Sequence, residues 1–176
     1  QLEDIGYIST LQLIGSGTTA TANAQLNVAG KGYIREIVLN DDGSGYSSAP
    51  NVAISTAPFG AGNVNATAVA ITTQRAGIFS IDRIVLTHAG IGYTEAPLVT
   101  ITGGGGVGAA ATAAIETTNF GIVDFTISNN GVGYAATPTV SIVGASTSPA
   151  SAEVNILADN TISDIFVKNA GIGYTV

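Results

Sequence analysis

The side chains able to do chemistry in this chain of 176 residues are few: one histidine, no cysteine, five Lys plus Arg and twelve Asp plus Glu. Two glycine clusters, Gly90-Ile91-Gly92-Tyr93 and Gly103 to Gly106, could cradle a phosphate on backbone N–H groups. A dinucleotide loop needs a third glycine, a following helix and a βαβ setting, and a P-loop needs Gly-Lys-Ser/Thr. Here a tyrosine and a proline-led strand follow instead. The glycines are therefore assigned to turns that need positive φ. The tyrosine is expected to lay its ring over the turn with its hydroxyl near water.

The remaining candidates are weaker. Asp41 and Asp42 in "NDDGSGY" resemble a calcium loop loosely, but lack the alternating oxygen ligands that calcium requires; Asp before Gly is an ordinary turn former. His88 has no fixed nucleophile and acid around it for a triad and is expected as an exposed turn residue. Glu36, Asp124 and Asp164 fall at one repeat position, with Arg83 as the fourth member, and read as a solvent-facing row. Two of these carboxyls across a cleft could in principle form a glycosidase pair, but aromatic residues for stacking sugars are scarce. "GGGGVG" (103–108) reads as a long flexible loop whose tip could touch a partner. Asn65-Ala66-Thr67 fits the N-glycosylation pattern. No catalytic, cofactor-binding or metal-binding residue is assigned, and the chain is read as not an enzyme.

Composition narrows the partners. A net charge of −7 with five scattered cations provides no basic stripe for nucleic acid. The missing cysteines exclude disulfides and zinc–thiolate sites. No run of about 18 apolar residues is present to cross a membrane as a helix. "QLEDIGYIST" has no basic n-region or apolar h-region, so a signal peptide is not expected, although an excised start at Gln1 stays open.

The elements that must position these residues repeat. Gly-x-Gly-Tyr occurs at Gly43, Gly45 and Tyr46; at Gly90, Gly92 and Tyr93; at Gly131, Gly133 and Tyr134; and at Gly171, Gly173 and Tyr174. "DIGY" ends at Tyr7 in the same phase, so the tyrosines are spaced by 39, 47, 41 and 40 residues. Tyr33 falls outside this phase and reads as a local variant. Four residues after the tyrosine stands Pro50, Pro97 or Pro138, and then an alternating pair: Val52 and Ile54, Val99 and Ile101, Val140 and Ile142. The first unit lacks the proline and places Leu11 and Leu13 two residues early.

Period-2 alternation marks strands. A first strand follows the proline, and a glycine- or serine-rich turn leads to an alanine-rich second strand. In "TATANAQLNV" (19–28) Leu26 and Val28 share one face while Asn23, Gln25 and Asn27 share the polar one. "NATAVAI" and "AAATAAI" carry small apolar residues on both faces, which suggests two-sided burial. A third strand leads back to the glycines, with isoleucine nine residues before each motif at Ile34, Ile81, Ile122 and Ile162. The sequence thus predicts an all-β chain with minimal helix: one tandem region over 1–176 of about four repeats (7–46, 47–93, 94–134, 135–176), each with three short strands. Its ends are in phase, as in an open-ended array or a piece of a longer chain.

This unit resembles the "GSGY" β-repeats of tail, baseplate and fibre proteins of contractile-tailed phages, notably large T4-like cyanophages, with related arrays in bacterial surface proteins. The resemblance runs from Ile5 to Val176. It implies a virion structural protein, a rigid β-repeat element with other virion proteins or its own copies as partners, and it supplies no catalytic residues. Two other classes remain as expectations. One is an adhesin or receptor-binding module, extracellular or on a cell surface, that reads a host glycan through its variable loops. The other is a polysaccharide hydrolase.

Overall fold

The computed structural model describes residues 7–8, 11–28 and 30–174. Ile5 and Gly6 of the first motif, the Tyr7 side chain, and Thr175 and Val176 lie outside that description. The described residues are all-β, with thirteen strands and no helix. After β1 (Tyr7–Ile8), each repeat contributes three strands in the order the alternation predicts. The first has β2 (Leu11–Ile14), β3 (Thr21–Leu26) and β4 (Tyr33–Asp41); the second has β5 (Asn51–Ile54), β6 (Thr67–Arg75) and β7 (Ile78–His88). The third has β8 (Val99–Thr102), β9 (Ala110–Glu116) and β10 (Ile122–Asn129); the fourth has β11 (Thr139–Ile142), β12 (Ser151–Ile156) and β13 (Ile162–Asn169). Pro50, Pro97 and Pro138 are buried just ahead of the first strands, where a residue with fixed φ and no N–H removes no ladder bond.

The second and third strands of every unit pair antiparallel in one shared register. Leu86 faces Ala68 and Val167 faces Ala152, while Leu39 faces Ala111 and Ile127 faces Ala22. Two of these pairings are hairpins within a repeat, β6 with β7 and β12 with β13. The other two are exchanged: β3 of the first repeat pairs β10 of the third, and β4 of the first pairs β9 of the third. First strands also pair at a distance, β5 with β8 and β2 with β11. The repeats therefore do not pair in chain order, a point that the alternation pattern leaves open. Moving the first repeat onto the third and the second onto the fourth reproduces every one of these pairings. The fold is two similar halves, joined at Tyr93–Pro97, with exchanged strands between them.

One core serves all four repeats. Ile34, Ile122 and Ile162 are fully buried in it, together with Leu26, Leu86, Val123 and Val167, and Ile81 is buried in a smaller cluster with Tyr46, Ala70 and Ile84. The expected two-sided burial of the alanine strands holds only in part. Ala70 and Ala113 are buried, but Thr67, Ala110 and Thr112 are exposed. Thr67 lies on the opposite face of β6 from Ala70, and Ala110 and Thr112 on the opposite face of β9 from Ala113, so at these positions one face meets solvent while the other enters the core.

Turn chemistry separates the hairpin repeats from the exchanged ones. β6 and β7 are joined by Ala76-Gly77, both at positive φ (50° and 83°), the conformation of a tight two-residue hairpin turn. Alanine is strained there, whereas asparagine tolerates it. Ala76→Asn is expected to raise stability by about 0.5–1 kcal/mol, visible as a higher denaturant midpoint with an unchanged slope.

Candidate functional site

The four Gly-x-Gly-Tyr motifs are the places where the chemistry-bearing residues collect, and each is built in the same way. All eight glycines have positive φ, from 60° at Gly43 to 99° at Gly92. The first glycine lies against the backbone N of the alanine immediately before a second strand. A Cβ would come within 2.6 Å of that nitrogen at Gly171, 2.7 Å at Gly43 and Gly131, and 2.9 Å at Gly90. The residue between the glycines forms an antiparallel bridge: Ser44 with Val107, Ile91 with Val64, Val132 with Thr18, Ile172 with Ser148. The joints are thus closed by the chain's own backbone, and in the first and third units the closing segment comes from the exchanged repeat.

A second set of bonds ties the joints together in pairs. The tyrosine N–H donates to the carbonyl two residues before the buried isoleucine of the neighbouring unit: Tyr46 to Phe79 (3.2 Å), Tyr93 to Gly32 (3.0 Å), Tyr134 to Asn160 (3.0 Å), Tyr174 to Phe120 (3.2 Å). The isoleucine N–H returns the bond to the residue before the first glycine: Ile34 to Ala89, Ile81 to Asp42, Ile122 to Ala170, Ile162 to Asn130. Units one and two are clasped this way, and so are units three and four.

The tyrosine rings are buried over the turns, at 1–4% exposure. Tyr134 stacks on Gly17 and Tyr46 on Gly106, where a Cβ would meet the ring. Their hydroxyls do not all reach water as expected. The Tyr93 hydroxyl accepts from Ala66 N (2.9 Å) and donates to Ser55 O (3.2 Å), and that of Tyr174 accepts from Ala150 N (2.6 Å). Burial pushes the Tyr93 hydroxyl above the usual phenol range. The backbone N–H of the alanine just before the strand lies outside the ladder, so the phenol supplies its partner.

Two residues that sequence reasoning passes over hold the crossing of the exchanged strands. Asn27 belongs by alternation to a polar strand face, yet it is 2% exposed. β3 ends at Leu26, and the chain then turns inward where it meets the connection from β9 to β10. The Asn27 amide donates to Lys31 O (2.8 Å) and Asn119 O (3.4 Å), and its carbonyl accepts from Gly121 N (2.8 Å). Tyr33, read as a variant of the joint, is fully buried instead. Its ring packs on Gly121 and its hydroxyl donates to Gly171 O (2.7 Å); burial pushes that hydroxyl well above the phenol range. Only its place beside Ile34 signals this core position.

The remaining candidates serve the same joints. Two residues before each first glycine, a side chain accepts its N–H: Asp41 (2.9 Å), His88 (2.8 Å), Asn129 (2.8 Å) and Asn169 (2.9 Å). Asp41 is thus a turn cap, and Asp42 offers only its backbone carbonyl. His88 is half-buried, not an exposed turn residue, because β10 brings Asp124 against it. The acidic row is mixed: Asp164 is exposed, Asp124 is half-buried beside His88, and Glu36 pairs with Arg35 (2.8 Å) and Asn169 (3.1 Å). Arg83 joins β7 to Glu153 of β12 (2.7 Å). Gly103 to Gly106 do not form a free loop. Gly104 O accepts from Ser47 N (2.8 Å), and a Cβ on Gly104 would meet Ser48 O at 2.6 Å.

His88 makes its joint sensitive to pH. Its Nδ1 must be unprotonated to accept from Gly90, and burial lowers its pKa below the usual imidazole value, more than nearby Asp124 raises it. A depressed histidine pKa means that the unfolded chain binds the proton more readily. The stability that neutral His88 contributes is complete above the unfolded pKa of about 6.5 and is lost as pH falls below it. His88→Asn, the residue type at the equivalent position of units three and four, keeps the acceptor and does not titrate. Denaturation at pH 5 to 8 should show a stability slope in the wild type that this variant flattens. An identical slope in both would assign it to other groups.

Among the described residues, no group of three or more His, Cys, Asp or Glu is placed to hold a metal ion, and no helix is long and apolar enough to cross a membrane. No protein-family model, curated protein or solved structure matches the chain.

Proposed function

We propose that this chain is a structural module of a virion, a rigid β-repeat element of a contractile-phage tail, baseplate or fibre. The observation that carries the reading is the exchange of β3 and β4 with β10 and β9. No repeat can leave the core without unpairing another, so load applied to one is shared by all. The glycines support the same reading, since close approach and positive φ at the joints account for them. Its partners are other virion proteins or further copies of the chain. Antibody against the module should decorate the tail region of purified particles, with its peptides present in their mass spectrum. Particles carrying neither would overturn the proposal.

One observation favours a second reading, a glycan-binding adhesin module. Phe59 is fully exposed beside Pro58, in a loop anchored by Asn63 Nδ2 donating to Pro58 O (2.7 Å) and Ala57 N donating to Asn65 Oδ1 (3.0 Å). An anchored, outward-facing aromatic suits stacking on a sugar. Glycan-array binding that Phe59→Ala abolishes would support it, and an array without signal would remove it.

A further inference from the structure

We infer that the surface joining the two halves of this chain accepts a second copy of the chain, so that two copies can exchange halves at the Tyr93–Pro97 connection. The inference holds whichever assembly contains the module. It rests on the shared register. The second strand meets the third with the same alignment whether both come from one repeat (β6 and β7, β12 and β13) or from two (β3 and β10, β9 and β4). The Gly-x-Gly-Tyr bridge and the glycine–alanine backbone contact are also alike in both cases. The pairing is therefore indifferent to chain connectivity, and the chain already uses that freedom internally. β2–β11, β5–β8 and the β7–β13 contact also run between halves.

The connection between the halves is short and accessible: Thr94, Glu95 and Ala96 are all exposed. Straightening it would free the carboxy-terminal half (94–174) to occupy the same position on a neighbouring chain. Two chains exchanging reciprocally form a closed two-fold dimer with no contact type absent from the monomer. Within one chain the halves see each other at an effective concentration of about millimolar, so the monomer prevails in dilute solution. Exchange prevails where copies are packed at comparable density, as in an assembly.

The absence of cysteine allows a clean test. Thr21 Oγ1 and Ser128 Oγ lie 2.7 Å apart across the exchanged β3–β10 pair, at exposed positions. Full-length Thr21→Cys and Ser128→Cys chains are unfolded together, refolded at millimolar total concentration and oxidised. A disulfide-linked product of twice the chain mass is expected, several-fold above that from either variant refolded alone. The double variant in a single chain should close its disulfide within the monomer, which verifies geometry and folding. A mixed sample no richer in linked dimer than the single-variant controls, with the double variant closing normally, would overturn the inference. If the double variant does not close, light scattering of the wild-type chain refolded and measured at millimolar concentration decides: a closed dimer that gives way to monomer on dilution below that range supports exchange, and monomer alone at millimolar concentration overturns it.

Discussion

Replacing Gly32 by alanine is expected to lower the unfolding free energy by about 4 kcal/mol or more, placing it among the exceptional single substitutions. Gly32 needs no unusual φ; what it needs is space. A Cβ there would overlap the carbonyl oxygen of Tyr93 and sit 3.0 Å from the Thr117 methyl group. The obstacle is backbone, which has no rotamer to escape into. The Gly32 carbonyl also accepts from both Gly92 N (2.7 Å) and Tyr93 N (3.0 Å), so any shift breaks the clasp between the first two units. Gly30, two residues earlier, is the internal control. It has φ of 71°, but a Cβ there would meet nothing within 4 Å, so Gly30→Ala should cost only the left-handed penalty of about 1–2 kcal/mol. Chemical denaturation of both variants measures the difference, and equal losses would show that the Tyr93 contact is not what constrains Gly32.

The second large effect is expected at Asn27. Asn27→Ala removes the acceptor of the buried Gly121 N–H and the donor to the Lys31 and Asn119 carbonyls. A buried polar group left without a partner costs about 1–3 kcal/mol, so the combined loss is about 3 kcal/mol. Asn27→Asp separates the two roles. It keeps an acceptor for Gly121 but sets a carboxylate against two carbonyl oxygens, so at pH 7 it should be at least as destabilising as alanine. Protonation at low pH should recover part of that loss relative to the wild type. Thermal and denaturant melts at pH 4 and 7 read both effects. A loss under about 1 kcal/mol for alanine, below the range for an orphaned buried group, would mean that water or a shifted backbone replaces the amide.

These two residues also show where sequence reading stops. Strand positions are legible because alternation of Val, Ile and Leu with polar residues is a local property. The buried isoleucines Ile34, Ile81, Ile122 and Ile162 are visible for the same reason, each at a fixed distance from its glycines. The joints are legible as turns. Their caps are not, since Asp41, His88, Asn129 and Asn169 share a role that depends on reach to a backbone N–H and not on residue type. Asn27 lies in phase with the polar face of β3, and only the inward turn after Leu26 buries it. Tyr33 carries a Gly-x-Gly-Tyr sequence of its own at Gly30 to Tyr33, so local pattern assigns it to the wrong class of site. Gly103 to Gly106 look free because glycine runs give no sign of what leans on them; here it is the ring of Tyr46 and the backbone at Ser47 and Ser48.

By itself the sequence determined an all-β chain, its strands, its glycine turns and the phase in which they recur. The tertiary structure decided who pairs with whom. All four repeats offer the same register between second and third strands, so pairing within a repeat and pairing between repeats satisfy the same local interactions. The choice falls to the connections. Ala76-Gly77 and the turn at Asp159-Asn160 fold two repeats back on themselves, while the segment that follows β3 meets 117–121 at Asn27 and binds the first repeat to the third. That crossing brings together segments whose bonded residues, Asn27 and Gly121, are 94 positions apart, and no local pattern encodes it.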